Sequence, residues 1–137
     1  MADIVSSDRR SQIMGKIRGK NTSPEMVVRR LIYSLGYRYR LHSKKLTGRP
    51  DLVFSSRKKV IFVHGCFWHL HEGCPKGKPP ETNRDYWIPK LQENKARDIR
   101  NQKELVCQGW KILVIWQCEL KKIELVKERI IDFLEEK

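Results

Sequence analysis

The 137-residue sequence lacks any apolar run long enough to cross a membrane, and Met1 to Arg10 carry no apolar signal core. These absences predict a cytoplasmic protein without a membrane partner. The sequence also lacks internal repeats and low-complexity segments. We therefore expect a single domain over residues 1–137, which is long enough to bury a core without disulfides.

Acidic residues are scarce relative to basic ones, with 16 Asp and Glu against 29 Lys and Arg and a formal net charge of +13. The basic residues are spread along the whole chain rather than concentrated in one tail, which favours a folded cationic surface. Because such a surface attracts polyanions and is sensitive to salt, nucleic acid is the first partner to expect.

Cysteine is also scarce, with four residues. In a reducing compartment these residues are more typically thiols or metal ligands than disulfides. Cys66, Cys74 and Cys118 are soft ligands that suit zinc, and a fourth protein ligand would complete a closed, structural site. The residues alone leave His71, His69 and Cys107 open as that fourth ligand.

Local patterns predict a helix, three strands, a helix, a strand and a helix, after a short N-terminal helix from Ser7 to about Arg18. The first four predicted elements are a helix from Ser23 to Gly36 and strands at Tyr37 to Leu41, Asp51 to Phe54 and Lys59 to His64. A long polar helix follows, from beyond Pro80 to about Gln108, and is expected to be perturbed near Pro89. The last two elements are a strand at Lys111 to Trp116 and a helix at Ile123 to Leu134. The apolar run Ile112 to Ile115 predicts a central strand in a mixed sheet that is covered on both faces and entered by a crossover helix.

The stretch from Pro50 to Cys74 carries the most chemical information. Asp51 is the strongest catalytic candidate, because a carboxylate at a strand end offers the oxygen ligands that magnesium requires. His69 can accept a proton from an attacking water, and Asp98 can orient its imidazole. His64 can stabilise the charged phosphate or a metal-bound water.

Several motifs together resemble a known nuclease family. Pro50-Asp51 on a strand, in this order of elements, resembles the core of many restriction endonucleases, although Phe62-Val63-His64 stands where an acid and a lysine usually follow. Gly-Arg-Pro-Asp at 48–51, His-Gly-Cys-Phe-Trp-His at 64–69 and Asn94-x-x-x-Asp98 extend the likeness. From about Arg10 to Cys118 the chain resembles the very short patch repair (Vsr) endonucleases.

This resemblance implies an α/β, restriction-endonuclease-like fold with a mixed central sheet flanked by helices and a structural zinc site. It also implies a magnesium-dependent enzyme that nicks DNA on the 5′ side of the mismatched thymine of a T:G pair, which deamination of 5-methylcytosine produces. Residues 1–20 would form a DNA-contacting arm and residues 22–137 the nuclease core. The enzyme would act as a monomer at the nucleoid, in cooperation with mismatch-repair proteins.

The resemblance assigns residues to roles as well. Two magnesium ions would be held by Asp51 and the main-chain carbonyl of Val63, where the best-known members have threonine. Glu25 matches a position that reaches the metal-bound waters, and Asn94 shares the helix face of Asp98 that is directed towards the site. His71 would complete the zinc ligands.

For DNA, the resemblance implies an aromatic wedge that enters the duplex at the mismatch, where unstacking costs least. The wedge would consist of Phe67, Trp68 and Trp87, with Met14 entering from the opposite groove. Tyr86, beside Trp87, is left without a role. The phosphate contacts would come from nearby basic residues, which are Arg9, Arg10, Lys16, Arg18 and Arg49.

Two alternative functions fit the same sequence features. One is a restriction-like nuclease of different specificity, for example one that makes double-strand breaks at unmodified sites. The other is a zinc-stabilised DNA-binding protein without catalysis, against which the carboxylates argue, since they repel phosphate unless a metal intervenes. The flanking sequence that is recognised is not predicted.

Overall fold

Four strands and three α-helices make up the fold in a computed structural model, which describes residues 23–136. In chain order the elements are α1 Ser23–Ser34, β1 Arg40–Leu41, β2 Leu52–Phe54, β3 Lys59–His64, α2 Arg84–Cys107, β4 Lys111–Trp116 and α3 Ile123–Glu135. The helix expected from Ser7 to Arg18 lies outside the described residues. None of the helices within 23–136 combines the length and apolar character needed to cross a bilayer.

The strands form one sheet in the order β1-β2-β3-β4. The pairs β1/β2 and β2/β3 are antiparallel, whereas β3 and β4 are parallel, and α2 makes the crossover between them. The predicted meander and the predicted mixed sheet are therefore confirmed. This topology brings the start of β2 and the C-terminal ends of β3 and β4 to the same end of the sheet.

The prediction that Ile112 to Ile115 lies in a central strand was wrong. Among the described strands, β4 is the last in the sheet, and only Ile115 in it is fully buried. Its apolar character has a different cause, because helices cover both faces of the strand. Burial of both faces makes a strand apolar whether it lies inside the sheet or at its edge.

Side chains alternate between the two faces of the sheet and build two apolar clusters. The larger cluster joins α1 and α3 to the sheet through Val28, Ile32, Leu52, Phe54, Ile61, Ile115, Val126, Ile130 and Leu134. The smaller cluster lies under α2 and contains Val53, Val60, Phe62 and Leu105. The sheet is thus the middle of three layers.

Strand β1 is shorter than predicted. It comprises only Arg40 and Leu41, and Tyr37 and Tyr39 lie before it and pack against the larger cluster. Helix α2 continues through Pro89, which lies in its second turn. A proline there removes a single helical hydrogen bond close to the N-terminus of the helix, so the helix is not broken.

The C-terminal end of α3 is fixed to the β2–β3 turn by basic side chains. Lys59, which is 3% exposed, donates from Nζ to the carbonyls of Phe133, Leu134 and Glu136. Arg57 donates to the Leu134 carbonyl at 2.9 Å. Cations at this position satisfy the free carbonyls and complement the helix dipole.

Candidate active site

A cleft of about 610 Å³ opens at the end of the sheet where β2 begins and β3 ends. Asp51 immediately precedes β2, and His64 is the last residue of β3, so the antiparallel pairing brings them to the same place. The lining also includes Glu25, Arg49, Val63, Trp68, His69, Arg97 and Asp98. Six of the predicted catalytic and metal-binding residues therefore line one cavity.

Asp51 is held by the neighbouring strand. The Val63 N–H donates to Asp51 Oδ2 at 2.7 Å. In an extended strand the N–H and C=O of one residue point to the same side, so the Val63 carbonyl lies on the side of β3 that is next to β2. Burial raises the pKa of Asp51 to about 7, against the lowering effect of the Val63 amide and with a further increase from Glu25.

Glu25 lies in the first turn of α1 and is 1% exposed. Its Oε2 atom is 2.7 Å from His42 Nε2 and 3.6 Å from an Arg29 guanidinium nitrogen. One ligand atom each from Glu25, His42 and Asp51 lie within 4.8 Å of one another. Two carboxylates this close repel each other, and a hard divalent cation, which prefers oxygen ligands, would relieve that repulsion. The residues present thus fit magnesium.

Two histidines and an aspartate form a second cluster in the cleft. The His64 and His69 rings stack with their centroids 3.8 Å apart and their planes within 4°. His69 Nδ1 is hydrogen-bonded to Asp98 Oδ2, which leaves Nε2 as the other ring nitrogen for chemistry. Burial lowers the pKa of His64 to about 3, the nearby His69 adds to this effect, and Asp98 opposes it. His64 is therefore a neutral imidazole near pH 7.

The loop before β2 approaches α2 closely. A Cβ atom at Gly48 would lie 3.0 Å from Asn101 Cβ, and Gly48 has a φ of +80°, so both space and backbone conformation favour glycine there. The following residue, Arg49, also has a left-handed φ of 48°. Arg49 and Arg97 place two cations in the lining of a cleft that also holds three carboxylates.

The sulfur ligands gather beside this cleft. Ligand atoms of Cys66, His71, Cys74 and Cys118 all lie within 4.8 Å of one another, and Cys118 Sγ is 3.4 Å from His71 Nδ1. His64 of β3 pairs with Trp116 of β4, so the two residues two positions further on, Cys66 and Cys118, leave the sheet side by side. The two other candidates are elsewhere, since Cys107 is exposed and His69 belongs to the histidine cluster.

The chemistry of this set fits a tetrahedral metal ion. Burial raises the pKa of Cys118 to about 12, and Cys66 and Cys74 raise it further. Burial also acts to raise the pKa of Cys74, but the amides of Lys76 and Gly77 and the two neighbouring thiols lower it overall. Thiols crowded in this way share protons that a bound metal would displace. Three thiolates and one imidazole form a closed set of zinc ligands.

Local packing holds the thiol cluster together. The His71 N–H donates to the Cys66 carbonyl, and the Cys74 N–H donates to the His71 carbonyl. A Cβ atom at Gly77 would lie 2.1 Å from the His71 carbonyl oxygen, so no larger residue fits there without a shift of the backbone. The His71 ring also stacks on Trp116, with centroids 4.1 Å apart and planes within 9°. The loop that carries His69 is therefore anchored on both sides.

Three aromatic side chains meet in a group next to the cleft. The rings of Phe67, Trp68 and Trp87 contact one another edge to face, with centroid distances of 5.2, 5.4 and 5.8 Å. All three are partly exposed. Tyr86, which is 59% exposed, contacts Trp87 at 5.1 Å. We refer to Phe67, Trp68 and Trp87 as the aromatic cluster.

Some predicted DNA-contacting residues lie outside residues 23–136, namely Met14, Arg9, Arg10, Lys16 and Arg18. Sequence reasoning missed His42 and Arg97 as parts of the site. A signal for His42 existed, because the meander pairs Leu41 with Leu52 and so sets His42 opposite Asp51. Arg97 was hidden among the many basic residues of α2, and only its position beside Asp98 could have indicated it.

Comparisons with known proteins identify a matching family and several relatives of the chain. The family model "DNA mismatch endonuclease Vsr" matches residues 2–76. The type II nicking enzyme V.XorIIP of Xanthomonas oryzae pv. oryzae is 49% identical over 135 residues, which cover 98% of each chain. The DNA mismatch endonuclease Vsr of Escherichia coli is 37% identical over 137 residues, covering 99% of this chain and 87% of the relative.

Among solved structures, the catalytic domain of the homing endonuclease I-Bth0305I is similar in fold, with a TM-score of 0.56 and 23% sequence identity over 82% of this chain and 94% of that domain. The family model and the relatives define the class of the protein, which is a DNA endonuclease. The family model spans more than half of the residues, and the Escherichia coli relative nearly all of them. The chain belongs to the DNA mismatch endonuclease Vsr family.

Proposed function

We propose that the protein nicks one strand of duplex DNA on the 5′ side of the mismatched thymine in a T:G pair, in a magnesium-dependent reaction that starts repair of deaminated 5-methylcytosine. One observation carries this proposal above the others. A pair of close carboxylates, Asp51 and Glu25, lines the same cleft as the His69–Asp98 dyad on a chain of net charge +13. Family membership supports DNA as the substrate.

Asp51 and the Val63 carbonyl would hold two magnesium ions, and Glu25 would bind their waters. Bound magnesium supplies charge stabilisation to the phosphate and acidifies a coordinated water. The Val63 N–H keeps Asp51 Oδ2 directed along the strand end, so the carboxylate needs little rearrangement when the ions bind. Oxygen ligands alone are what a hard cation requires.

His69 acts as the general base in this proposal. Its Nε2 accepts the proton of the attacking water while the water oxygen bonds to phosphorus and the bond to the leaving oxygen breaks. Asp98 fixes the tautomer and stabilises the imidazolium that forms. His64, neutral and stacked on His69, donates a hydrogen bond to the phosphate or to a metal-bound water rather than contributing a full charge.

Zinc, held by Cys66, His71, Cys74 and Cys118, would be structural, because these four ligands leave no open position for substrate. Its function would be to hold the loop between Cys66 and His71, which carries the general base. A structural metal site next to a catalytic side chain fixes that side chain within the narrow range of geometry that the reaction needs.

The aromatic cluster would enter the base stack at the mismatch. Three partly exposed rings that already contact one another present a rigid apolar edge, so little side-chain entropy is lost on insertion. The weaker stacking and pairing of a mispair makes it the cheapest place to open, which gives a physical basis for selectivity. Arg49 and Arg97 would contact phosphates.

The chain forms one restriction-endonuclease-like domain, with residues 1–20 as an arm that contacts DNA and Met14 as the probe of the opposite groove. It acts as a monomer at the nucleoid and cooperates with mismatch-repair proteins.

The experiment is incubation of end-labelled duplexes with the protein in magnesium or in EDTA, with one duplex T:G mismatched and one fully matched. We expect a single nick in the thymine strand of the mismatched duplex, and none in EDTA. Equal cutting of the matched duplex, or double-strand breaks, would favour a restriction-like nuclease of other specificity. Binding without cutting would favour a non-catalytic DNA-binding protein.

A further inference from the structure

His42 lies beside the two carboxylates of the proposed magnesium site. Its side chain is 13% exposed, and its Nε2 atom is 2.7 Å from Glu25 Oε2. A carboxylate only accepts hydrogen bonds, so the proton of this contact belongs to Nε2 of the imidazole. The ligand atoms of Glu25, His42 and Asp51 lie within 4.8 Å of one another. His42 thus contacts the site directly rather than the surrounding core.

The backbone of His42 is bonded to the other carboxylate residue. The register pairs Leu41 with Leu52, and the His42 N–H extends this ladder by donating to the Asp51 carbonyl at 3.2 Å. One residue therefore contacts the main chain of Asp51 with its amide and the side chain of Glu25 with its imidazole. These two contacts link α1 to the start of β2 at the point where both acids meet.

The conformation of His42 is unusual for a residue that carries a side chain. Its φ is +44°, in the left-handed region. A residue other than glycine in this region costs about 1 kcal/mol or more and is kept where surrounding contacts fix it, often at functional sites. The chain turns out of the β1–β2 ladder at this residue while the side chain remains against Glu25.

Glu25 requires such a partner. It is 1% exposed, and a carboxyl group at that depth needs hydrogen-bond partners. Arg29 contributes at 3.6 Å but belongs to the same helix one turn further on, so it cannot by itself fix Glu25 relative to the sheet. The contact from His42 comes from the sheet side.

We propose that His42 is a positioning residue of the nuclease site, which donates from Nε2 to Glu25 and thereby holds Glu25 and Asp51 at the spacing that divalent ions require. This inference rests on the proposed function of the site. It assigns His42 no contact with DNA and no proton transfer. The imidazole acts only through the orientation of Glu25.

The test compares His42→Ala, His42→Gln and the wild type by steady-state nicking of the T:G duplex, by Mn²⁺ titration calorimetry without DNA and by thermal unfolding. Loss of a partner that orients a metal-site ligand typically lowers metal affinity or activity about 10- to 100-fold. We expect His42→Ala to show this decrease in kcat and weaker Mn²⁺ binding, with KM for DNA unchanged. His42→Gln, whose amide still donates, should recover most of both.

Tyr39→Phe is the matched control. The Tyr39 hydroxyl donates to the Arg29 carbonyl at 3.1 Å, so its removal also deletes one partly buried hydrogen bond to α1 but touches neither acid. We expect a lower Tm with kcat and Mn²⁺ affinity unchanged. If His42→Ala behaves like Tyr39→Phe, or if kcat falls without weaker Mn²⁺ binding, the inference is wrong. Absence of nicking by the wild type would instead refute the proposed function.

Discussion

The imidazole rings of His64 and His69 lie parallel and in contact, with centroids 3.8 Å apart. This stacking fixes the plane of His69, and the hydrogen bond from Nδ1 to Asp98 fixes its rotation within that plane. His64 is 4% exposed and provides a rigid surface at the end of β3. The proposed general base is therefore held in two directions before substrate arrives, which is the arrangement that efficient proton transfer needs.

The first prediction concerns this dyad. His69→Gln should lower the single-turnover nicking rate by about 10²- to 10⁴-fold, because general-base catalysis contributes about that factor. The Kd for the T:G duplex should stay within about threefold, since the His69 ring acts on water in the proposed reaction. Asp98→Asn should give a smaller decrease.

The charge-matched control for Asp98→Asn is Asp132→Asn, which removes the same charge from the exposed face of α3. This variant should nick at the wild-type rate. Equal loss of activity in both variants would mean that net charge, rather than the dyad, determines the rate.

The second prediction concerns zinc. The wild type should contain one zinc ion per chain by elemental analysis, and Cys74→Ser should lose it together with stability and nicking. Because structural zinc supplies about 10 kcal/mol or more of binding free energy in small domains, we expect a large decrease in Tm. Cys107→Ser is the control, since Cys107 is exposed on α2 away from the cluster, and it should keep zinc and activity. A zinc-free wild-type protein that is folded and active would contradict the proposed site.

The third prediction concerns the aromatic cluster. Trp68→Ala should reduce the ratio of affinities for mismatched over matched duplex by about 10- to 100-fold, because stacking on an aromatic ring is worth about 1–3 kcal/mol per base. Gel-shift titration of both duplexes measures the ratio. Tyr33→Ala removes an aromatic ring that is 56% exposed on α1, outside the cluster, and should leave the ratio unchanged. An unaltered ratio in Trp68→Ala would assign the cluster to packing alone.

The fourth prediction is a pH effect on stability. The Tyr37 hydroxyl donates to Glu135 Oε1 at 2.5 Å, and this bond raises the pKa of Tyr37 above 10.0, with burial and the Glu135 charge adding to the shift. Because the folded value is the higher one, the unfolded chain releases its proton first as pH rises. The stability that the contact contributes is thus complete below pH 10 and is lost above it.

Urea unfolding of the wild type and Tyr37→Phe at pH 8 and pH 11 checks this effect. Glu135 is 59% exposed, so solvent screening limits the difference at pH 8 to about 1 kcal/mol or less. The difference should be smaller at pH 11 than at pH 8, because the stability is lost as pH rises through the raised pKa of Tyr37. A difference that grows with pH would reverse the assigned direction.

Much of the site could be predicted because sequence order and strand direction determine which residues meet. Asp51 and His64 flank an antiparallel pair, and Cys66 and Cys118 follow two parallel strands, so the topology alone brings each pair together. The apolar residues of β4 led to the wrong prediction of a central strand. The apolar pattern of a strand indicates which of its faces are buried, but not which strands lie next to it.

Other features depend on conformations that sequence patterns do not specify. The contact between His42 and Glu25 requires a left-handed residue at the end of β1, and the stacking of His64 on His69 requires the turn from Gly65 to Leu70, where Leu70 has a φ of 48°. Such conformations are uncommon for residues with a Cβ atom and carry no clear sequence signature. They are set by the tertiary contacts around them.

The most direct test of the account is the behaviour of Asp51→Asn, because the proposed chemistry depends on the charge of this one side chain. Asparagine can still accept the Val63 N–H, so the fold should be kept. We predict that the variant binds the T:G duplex at least as tightly as the wild type, since a negative charge near phosphate has been removed, and that it makes no detectable nick in magnesium. A variant that nicks the thymine strand at a rate close to that of the wild type would contradict the account.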